Sequence, residues 1–227
     1  MDRIHHIKPS ILRTGCLLLS MLIAAAMMAT AVKAANAEAN DIVICGDASA
    51  PSNRRFAVCT RLIRSGRLDH EQLSTAYSNR GAALGIMGKE NRALADFNAS
   101  VRTDPNNGIP RYNRGALHYR QGKFDLAIED FNNSIRIEPH FAQARMARAV
   151  AFLATKDVEK ALNDADEMVR RFPESGIALE TRAYILNTIG RRDDAIAAYR
   201  KALEVEPDNL ELTSEIEATL RKLGVAP

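Results

Sequence analysis

A period of 34 residues runs through most of the chain. Prolines mark it at Pro105, Pro139, Pro173 and Pro207. The same interval separates the members of four further sets of residues. One set is alanine (Ala93, Ala127, Ala161, Ala195) and one is glycine or alanine (Gly81, Gly115, Ala149, Ala183). The third is mainly aromatic (Phe97, Phe131, Ala165, Tyr199), and the fourth is arginine (Arg80, Arg114, Arg148, Arg182). These coincidences indicate four repeated structural units, at residues 74–107, 108–141, 142–175 and 176–209.

The content of each unit predicts a pair of helices. Thirty-four residues accommodate two helices of roughly 14 residues with their connections. The glycine or alanine of the first helix and the alanine of the second let the two backbones approach closely. Gly88, Gly122 and Gly190 fall at the turn between the helices, and each proline ends a second helix. Aromatic residues make up only 5% of the chain, and little alternating pattern is present, which argues against a β-sandwich or barrel.

These features resemble the tetratricopeptide repeat family. Residues 77–81 (Tyr-Ser-Asn-Arg-Gly) and 112–115 (Tyr-Asn-Arg-Gly) are similar to its first helix, and residues 127–131 (Ala-Ile-Glu-Asp-Phe) to its second. The period and the small, aromatic and proline positions are those of the family. The resemblance covers residues 74–209 and implies an all-α fold, a right-handed α-solenoid of helix-turn-helix repeats.

The third unit departs most from the repeat. Lys156 stands where the other units have the turn glycine, and Ala165 replaces the aromatic residue. A left-handed conformation at Lys156 costs on the order of 1 kcal/mol. We therefore expect this unit to be the least tightly packed, and amide hydrogen exchange that shows it as the most protected of the four would contradict this.

Both ends of the array fit the same scheme. Residues 210–227 predict an amphipathic helix that caps the stack, with Leu210, Leu212, Ile216, Leu220 and Leu223 on one side. Residues 38–73 form an N-terminal segment in which residues 56–63 resemble a lone second helix. Cys45 and Cys59 are the two cysteines beyond residues 1–37, which contain Cys16, and an even number of cysteines in an exported chain predicts a disulfide between them. A metal pair and two free thiols are the alternatives.

Residues 1–37 have the three parts of a secretory signal. Arg3, Lys8 and Arg13 precede an uncharged apolar run over residues 14–32, and small residues follow. Cleavage is expected after Ala37, with Ala34 as the second choice, which places the protein in the periplasm or outside the cell. In the alternative, the run stays as an inner-membrane anchor, the repeats face the periplasm, and the protein is an anchored assembly factor.

Charge and motifs exclude several functions. The net charge of +3 comes from residues 1–37, and the rest of the chain carries equal numbers of acidic and basic residues, so nucleic-acid binding is not expected. No nucleophile, metal-ligand or phosphate-loop motif is present. His118 stands at a packing position, and its ring is expected to be packed or hydrogen-bonded. We therefore expect a protein that is not an enzyme and that uses no cofactor or metal.

The resemblance also implies where a partner binds. In this family the first helices line a concave groove that suits a peptide or one helix of a protein partner. By register, the expected contact residues are Asn79, Tyr112, Asn113, Tyr119, Arg120, Met146, Tyr184 and Asn187. The carboxylate clamp of some family members is not expected, because Ser78, Gln143 and Ala147 occupy its basic positions. Self-association into a homo-oligomer is the alternative to a separate partner.

The repeated arginines allow two interpretations. Asp96, Asp130 and Asp164 recur in the second helices, so the arginines can form ion pairs between helices. Alternatively, they form a ladder for acidic peptides, because the guanidinium fork matches a carboxylate.

Overall fold

The computed structural model describes residues 27–28, 32–33 and 36–226, and these residues contain helices and no strand. The helices in chain order are α1 (residues 36–46), α2 (Ser52–Ser65), α3 (His70–Ile86), α4 (Glu90–Thr103), α5 (Ile109–Arg120), α6 (Phe124–Ile137), α7 (Ala142–Ala154), α8 (Val158–Arg171), α9 (Gly176–Thr188), α10 (Arg192–Val205) and α11 (Leu210–Lys222). The expected all-α solenoid is confirmed. Most of the predicted signal segment, including Ala34, lies outside the described residues.

Four helix pairs follow the 34-residue period. They are α3 with α4, α5 with α6, α7 with α8, and α9 with α10. Each second helix ends two residues before its proline, and the intervening residue has φ between −134° and −124°. A residue that precedes proline is disfavoured in the helical region, so proline sets the end of each pair.

The small residues of the first helices make room for a ring from the second. A methyl group on Gly81 would lie 2.7 Å from Phe97 Cε1, and one on Gly115 would lie 2.8 Å from Phe131 Cε1. A hydrogen atom is therefore all that fits beside these two rings. In the third unit Ala165 stands in place of the ring, so Ala149 can carry a methyl group at the position of Gly81 and Gly115. Both alanines are fully buried.

The turn inside each pair requires a left-handed residue. Gly88, Gly122 and Gly190 have φ of 71°, 72° and 81°, and Lys156 takes the same conformation with φ of 64°. Lysine thus adopts the left-handed conformation expected from the register. Its Cβ is disfavoured there, because it approaches the following carbonyl oxygen.

Replacing Lys156 with glycine should stabilise the third unit. The glycine relieves a cost of about 1 kcal/mol, reduced by the greater freedom that it gives the unfolded chain. Lys156 is exposed, so the change removes no packing. Chemical denaturation should show a gain, and hydrogen exchange should slow chiefly in α7 and α8. Exchange that slows equally in all four units, or no gain, would contradict this explanation.

The N-terminal segment is a helix pair. Helix α1 packs along α2, which contains the residues expected to form a lone helix, and the Cys45–Cys59 disulfide joins the two. Asp41 accepts two hydrogen bonds of 2.6 Å from the Arg61 guanidinium. Cys45, Cys59 and Ala76 belong to one buried cluster, which connects this pair to α3.

The C-terminal helix covers the last unit. Leu212, Ile216 and Leu220 of α11 are buried against Leu186 and Tyr199 of the fourth unit. The prediction that Leu210 belongs to the packed apolar side of this helix is wrong, since Leu210, at the beginning of the helix, is 81% exposed. Within the described ranges, no helix has the length and apolar character needed to cross a bilayer.

Candidate functional site

The odd-numbered helices form one continuous face from α3 to α11. Each of α3, α5, α7 and α9 contacts the next odd helix, whereas no contact joins consecutive even helices between residues 90 and 205. Because the odd helices lie closer together, the stack curves toward them. We call their exposed side the concave face.

The size of the residue at one repeated position varies along the concave face and changes its depth. One position recurs as Ala82, Ala116, Val150 and Tyr184 in α3, α5, α7 and α9. The first three are half-buried, and the Tyr184 side chain is 48% exposed. The face is therefore deep at its N-terminal half and carries an exposed ring at its C-terminal half.

Asn79 and Asn113 occupy equivalent positions, one period apart. Asn113 Nδ2 donates a 3.0 Å hydrogen bond to Ser78 Oγ of the preceding unit. Asn79 lines a pocket at the beginning of the face. Both amides are half-buried, and Asn113 also connects the first two units.

The two tyrosines of α5 take part in packing. The Tyr112 ring lies 5.0 Å from Phe141 and 6.0 Å from Phe131 between centroids, and burial raises the pKa of its hydroxyl. The Tyr119 ring lies 5.3 Å from that of Phe124. Both are half-buried, so each combines a packing contact with an accessible edge.

The remaining predicted contact residues differ in exposure. Arg120 is exposed, and its guanidinium forms no ion pair within residues 36–226. Met146 in α7 and Asn187 in α9 are half-buried. The eight predicted residues therefore lie on four successive odd helices.

Two mostly apolar pockets open near the N-terminal half of the face. The first pocket, of about 250 Å³, lies where α1, the end of α2 and α3 meet, with Ile42, Cys45, Leu62, Leu68, Glu71 and Asn79 among its lining residues. The second pocket, of about 190 Å³, lies between α3 and α5, with Ala82, Ile86, Phe97, Asn113, Leu117 and Arg120 among its lining residues. Both pockets lie between consecutive odd helices, and each has one of the equivalent asparagines at its edge.

The C-terminal end of the concave face is acidic. Glu180 of α9 is half-buried, and burial together with the nearby Glu215 of α11 raises the pKa of its carboxyl. Burial, with the negative charge of Glu180 nearby, raises the pKa of the Tyr199 hydroxyl to about 12. Within residues 36–226, the Glu180 carboxylate forms no ion pair.

Replacing Glu180 with glutamine should stabilise the fold at neutral pH. A raised folded-state pKa means that ionisation opposes folding, so the wild type loses stability as the pH rises through the carboxyl range. Because the group is only half-buried, we expect a gain of about 0.5 kcal/mol at pH 7. The gain should vanish below the ordinary glutamate range, where the Glu180 carboxyl is protonated in both the folded and the unfolded states. Urea denaturation across this range measures it, and a gain that grows on acidification would contradict the assignment.

The arginine ladder lies between the helices and is satisfied internally. Arg114 donates to Asp130 at 2.6 and 2.9 Å and to Asn98 of the preceding unit at 2.6 Å. Arg148 repeats this with Asp164 and with Asn132. These arginines stabilise the stacking of the units, in line with the ion-pair interpretation.

The two end members of the ladder have different partners from the two middle ones. Arg80 pairs with Asp96 at 2.7 Å and approaches Thr60 Oγ1 at 3.4 Å. Arg182 pairs with Asp166 of the third unit at 2.6 Å, because Ala198 occupies the position of the aspartate in its own unit.

The sequence did not reveal the pockets or the Glu180–Glu215 pair. A pocket depends on the space left between helices, which the residue pattern alone does not define. Glu180 and Glu215 are almost one period apart, so a comparison of neighbouring positions on consecutive first helices could have found them. His118 is half-buried, and burial lowers the pKa of its ring.

Comparisons with known proteins agree with this architecture. Tetratricopeptide repeat family models match residues 87–140, 112–175 and 178–209. No curated protein matches the sequence. Among solved structures, TTC0263, a thermophilic tetratricopeptide repeat protein of Thermus thermophilus, is 19% identical with a TM-score of 0.63, over 74% of this chain and 90% of its own.

Two further structures show the same fold. MamA from residue 41 to the end, of Desulfovibrio magneticus RS-1, is 20% identical with a TM-score of 0.61, over 78% of this chain and 97% of its own. YrrB, described as a tetratricopeptide repeat protein with an unusual peptide-binding site, is 16% identical with a TM-score of 0.54, over 72% and 82%. The family models cover more than half of the sequence, and the chain belongs to the tetratricopeptide repeat family.

Proposed function

We propose that this protein is a non-enzymatic interaction scaffold of the bacterial cell envelope, whose concave face binds a peptide or helix of a partner protein. Stacked helical repeats present extended concave surfaces for binding. One observation carries the proposal: the concave face combines two mostly apolar pockets with the exposed side chains of Arg120 and Tyr184. By contrast, Arg80, Arg114, Arg148 and Arg182 between the helices are all paired.

The composition of the face suits a protein partner. Tyrosine and arginine are enriched among residues that dominate binding energy, and methionine adapts to different partner shapes. YrrB, with the same fold, is described as having a peptide-binding site. The proposed contact residues are Asn79, Tyr112, Asn113, Tyr119, Arg120, Met146, Tyr184 and Asn187. Because Tyr112 and Tyr119 also pack against phenylalanine rings, they position the face as well as contact the partner.

Location in the envelope is supported by two features. The first 37 residues have the charge and apolar pattern of a secretory signal. The Cys45–Cys59 disulfide is of the kind that persists in oxidising compartments such as the periplasm. We therefore place the repeats in the periplasm or outside the cell, or facing the periplasm if the signal segment is retained as an anchor.

Changing Arg120 and Tyr184 to alanine together tests the proposal. Both side chains are exposed, so the double variant should fold, with an unchanged circular dichroism melt. Affinity purification from the native envelope should lose the partner that the wild type recovers. The matched control changes Arg102 and Leu126 on the even helices, also exposed, to alanine. Equal recovery of every partner by the folded double variant would contradict binding at the concave face.

A further inference from the structure

We propose that the concave face selects an extended segment with two apolar side chains about four or six residues apart, one beside a basic group and the other beside an acidic group. This inference rests on the proposed function and specifies its partner. The two apolar side chains occupy the first and second pockets defined above. Each pocket carries one charged residue at its edge, and the two charges are opposite.

The first pocket is built to take an apolar side chain. Ile42, Leu62 and Leu68 line it, and the disulfide-bonded Cys45 fixes α1 at its wall. Its volume of about 250 Å³ is below the range of about 300–1,000 Å³ typical of sites that enclose a whole small molecule. One side chain of a longer partner fits this space better than a free ligand does.

The second pocket has the same character, one repeat further on. Ala82 and Ala116 open it between α3 and α5, and Phe97 and Leu117 belong to its apolar lining. Both of the last two are buried in the same core cluster, so the pocket reaches the core without disturbing it. Burying a leucine-sized side chain contributes about 1.5–3 kcal/mol.

The charges at the edges define the chemistry of the flanking groups. Glu71 lines the first pocket and Arg120 lines the second. Both are exposed, and neither forms an ion pair within the described part of the chain. A basic group beside the first apolar side chain and an acidic group beside the second would complement them.

The separation of the pockets sets the spacing in the partner. The lining residues on α3 are centred roughly ten positions apart, which is about 15 Å at the helical rise of 1.5 Å per residue. The pockets lie on opposite flanks of α3, which adds a lateral offset of about 8–10 Å. The combined separation of roughly 17 Å lies between about four and six residues of an extended chain at 3.3 Å each, and only an even spacing places both side chains on the same side of such a chain.

Synthetic peptides of the form Lys-Leu-(Ser)n-Leu-Glu, with serine spacers from one residue to about eight, test the spacing. Fluorescence anisotropy with the full chain should show tighter binding with three or five serines than with four, because alternate side chains of an extended chain point the same way. Replacing either leucine with serine should weaken binding at least about tenfold. Affinity independent of the spacer, or no saturable binding up to about 1 mM, would overturn the inference.

Charge variants test the edges independently of peptide direction. The wild type should prefer the Lys/Glu peptide over Lys/Lys and Glu/Glu peptides by about threefold to fivefold. Arg120→Glu should prefer the Lys/Lys peptide, and Glu71→Lys the Glu/Glu peptide. Arg102→Glu and Glu159→Lys, exposed on even helices, should keep the wild-type preference. Unchanged peptide preferences in the Arg120→Glu and Glu71→Lys variants would overturn the charge assignment.

The two proposals fail in distinguishable ways. If the Arg120 and Tyr184 double variant loses its native partner while the peptides show no preference for spacing or charge, the concave face binds a partner of another chemistry. If the peptides behave as expected while the double variant keeps every native partner, the proposed function is wrong.

Discussion

Asp164→Asn should destabilise the protein by about 3 kcal/mol. Asp164 is 1% exposed and accepts hydrogen bonds of 2.6 and 2.7 Å from Arg148. The Arg145 guanidinium lies 3.6 Å from the same carboxylate. Burial lowers the pKa of this guanidinium. Removing the carboxylate leaves two poorly exposed guanidiniums without their counter-charge, and breaking such a buried pair typically costs about 3–5 kcal/mol.

A matched control stands two residues further along α8. Asp166 pairs with Arg182 at 2.6 Å, but its side chain is 57% exposed. Asp166→Asn removes the same charge from the same helix and should cost less than about 1 kcal/mol, because water screens an exposed pair. Urea denaturation monitored by circular dichroism measures both. Equal losses for the two variants would contradict the structural role assigned to the buried arginine pairs.

Removing the disulfide should destabilise the N-terminal pair by about 3 kcal/mol. Cys45 and Cys59 close a loop of 14 residues, and a loop of that length has about this effect in the chain-entropy account. The loss should be local, because each repeat unit contacts only its neighbours. In the Cys45→Ser, Cys59→Ser double variant, hydrogen exchange should accelerate in α1 and α2 and stay unchanged in α9 and α10.

Reduction of the wild type serves as the control for this prediction. Adding a thiol reductant should convert the exchange pattern of the wild type into that of the double variant and leave the variant itself unchanged. Peptide binding in the first pocket should also weaken on reduction, since Cys45 lines this pocket. Exchange that accelerates equally in all helices, or no change in α1, would contradict the local role of the bridge.

The sequence predicted the repeating core because its packing demands small residues at fixed places. Gly115 must lack a side chain where the Phe131 ring lies, and Pro139 must end a helix, so both recur with the period. The arginine pairs were also accessible, since Arg114 and Asp130 recur together. The exception at Arg182 follows from Ala198, which leaves Asp166 as the acceptor.

Other features lay beyond a pattern-based prediction. Helix α1 lacks the repeat positions and is held on α2 by the disulfide and by the Arg61–Asp41 pair. Tyr112 was placed on the concave face from its register, but the register does not give the direction of its ring, which packs against Phe131 and Phe141. The pockets arise from gaps between helices and depend on distances that no single position encodes.

Site-specific photocrosslinking tests the central claim that the concave face holds the partner. A photoreactive residue at Tyr184, exposed on the odd helix α9, is compared in the native envelope with one at Arg136, exposed on the even helix α6. We predict a crosslink from position 184 to one defined segment of a partner protein, and none to that segment from position 136. A crosslink to the same segment only from position 136, or equally from both, would contradict the account.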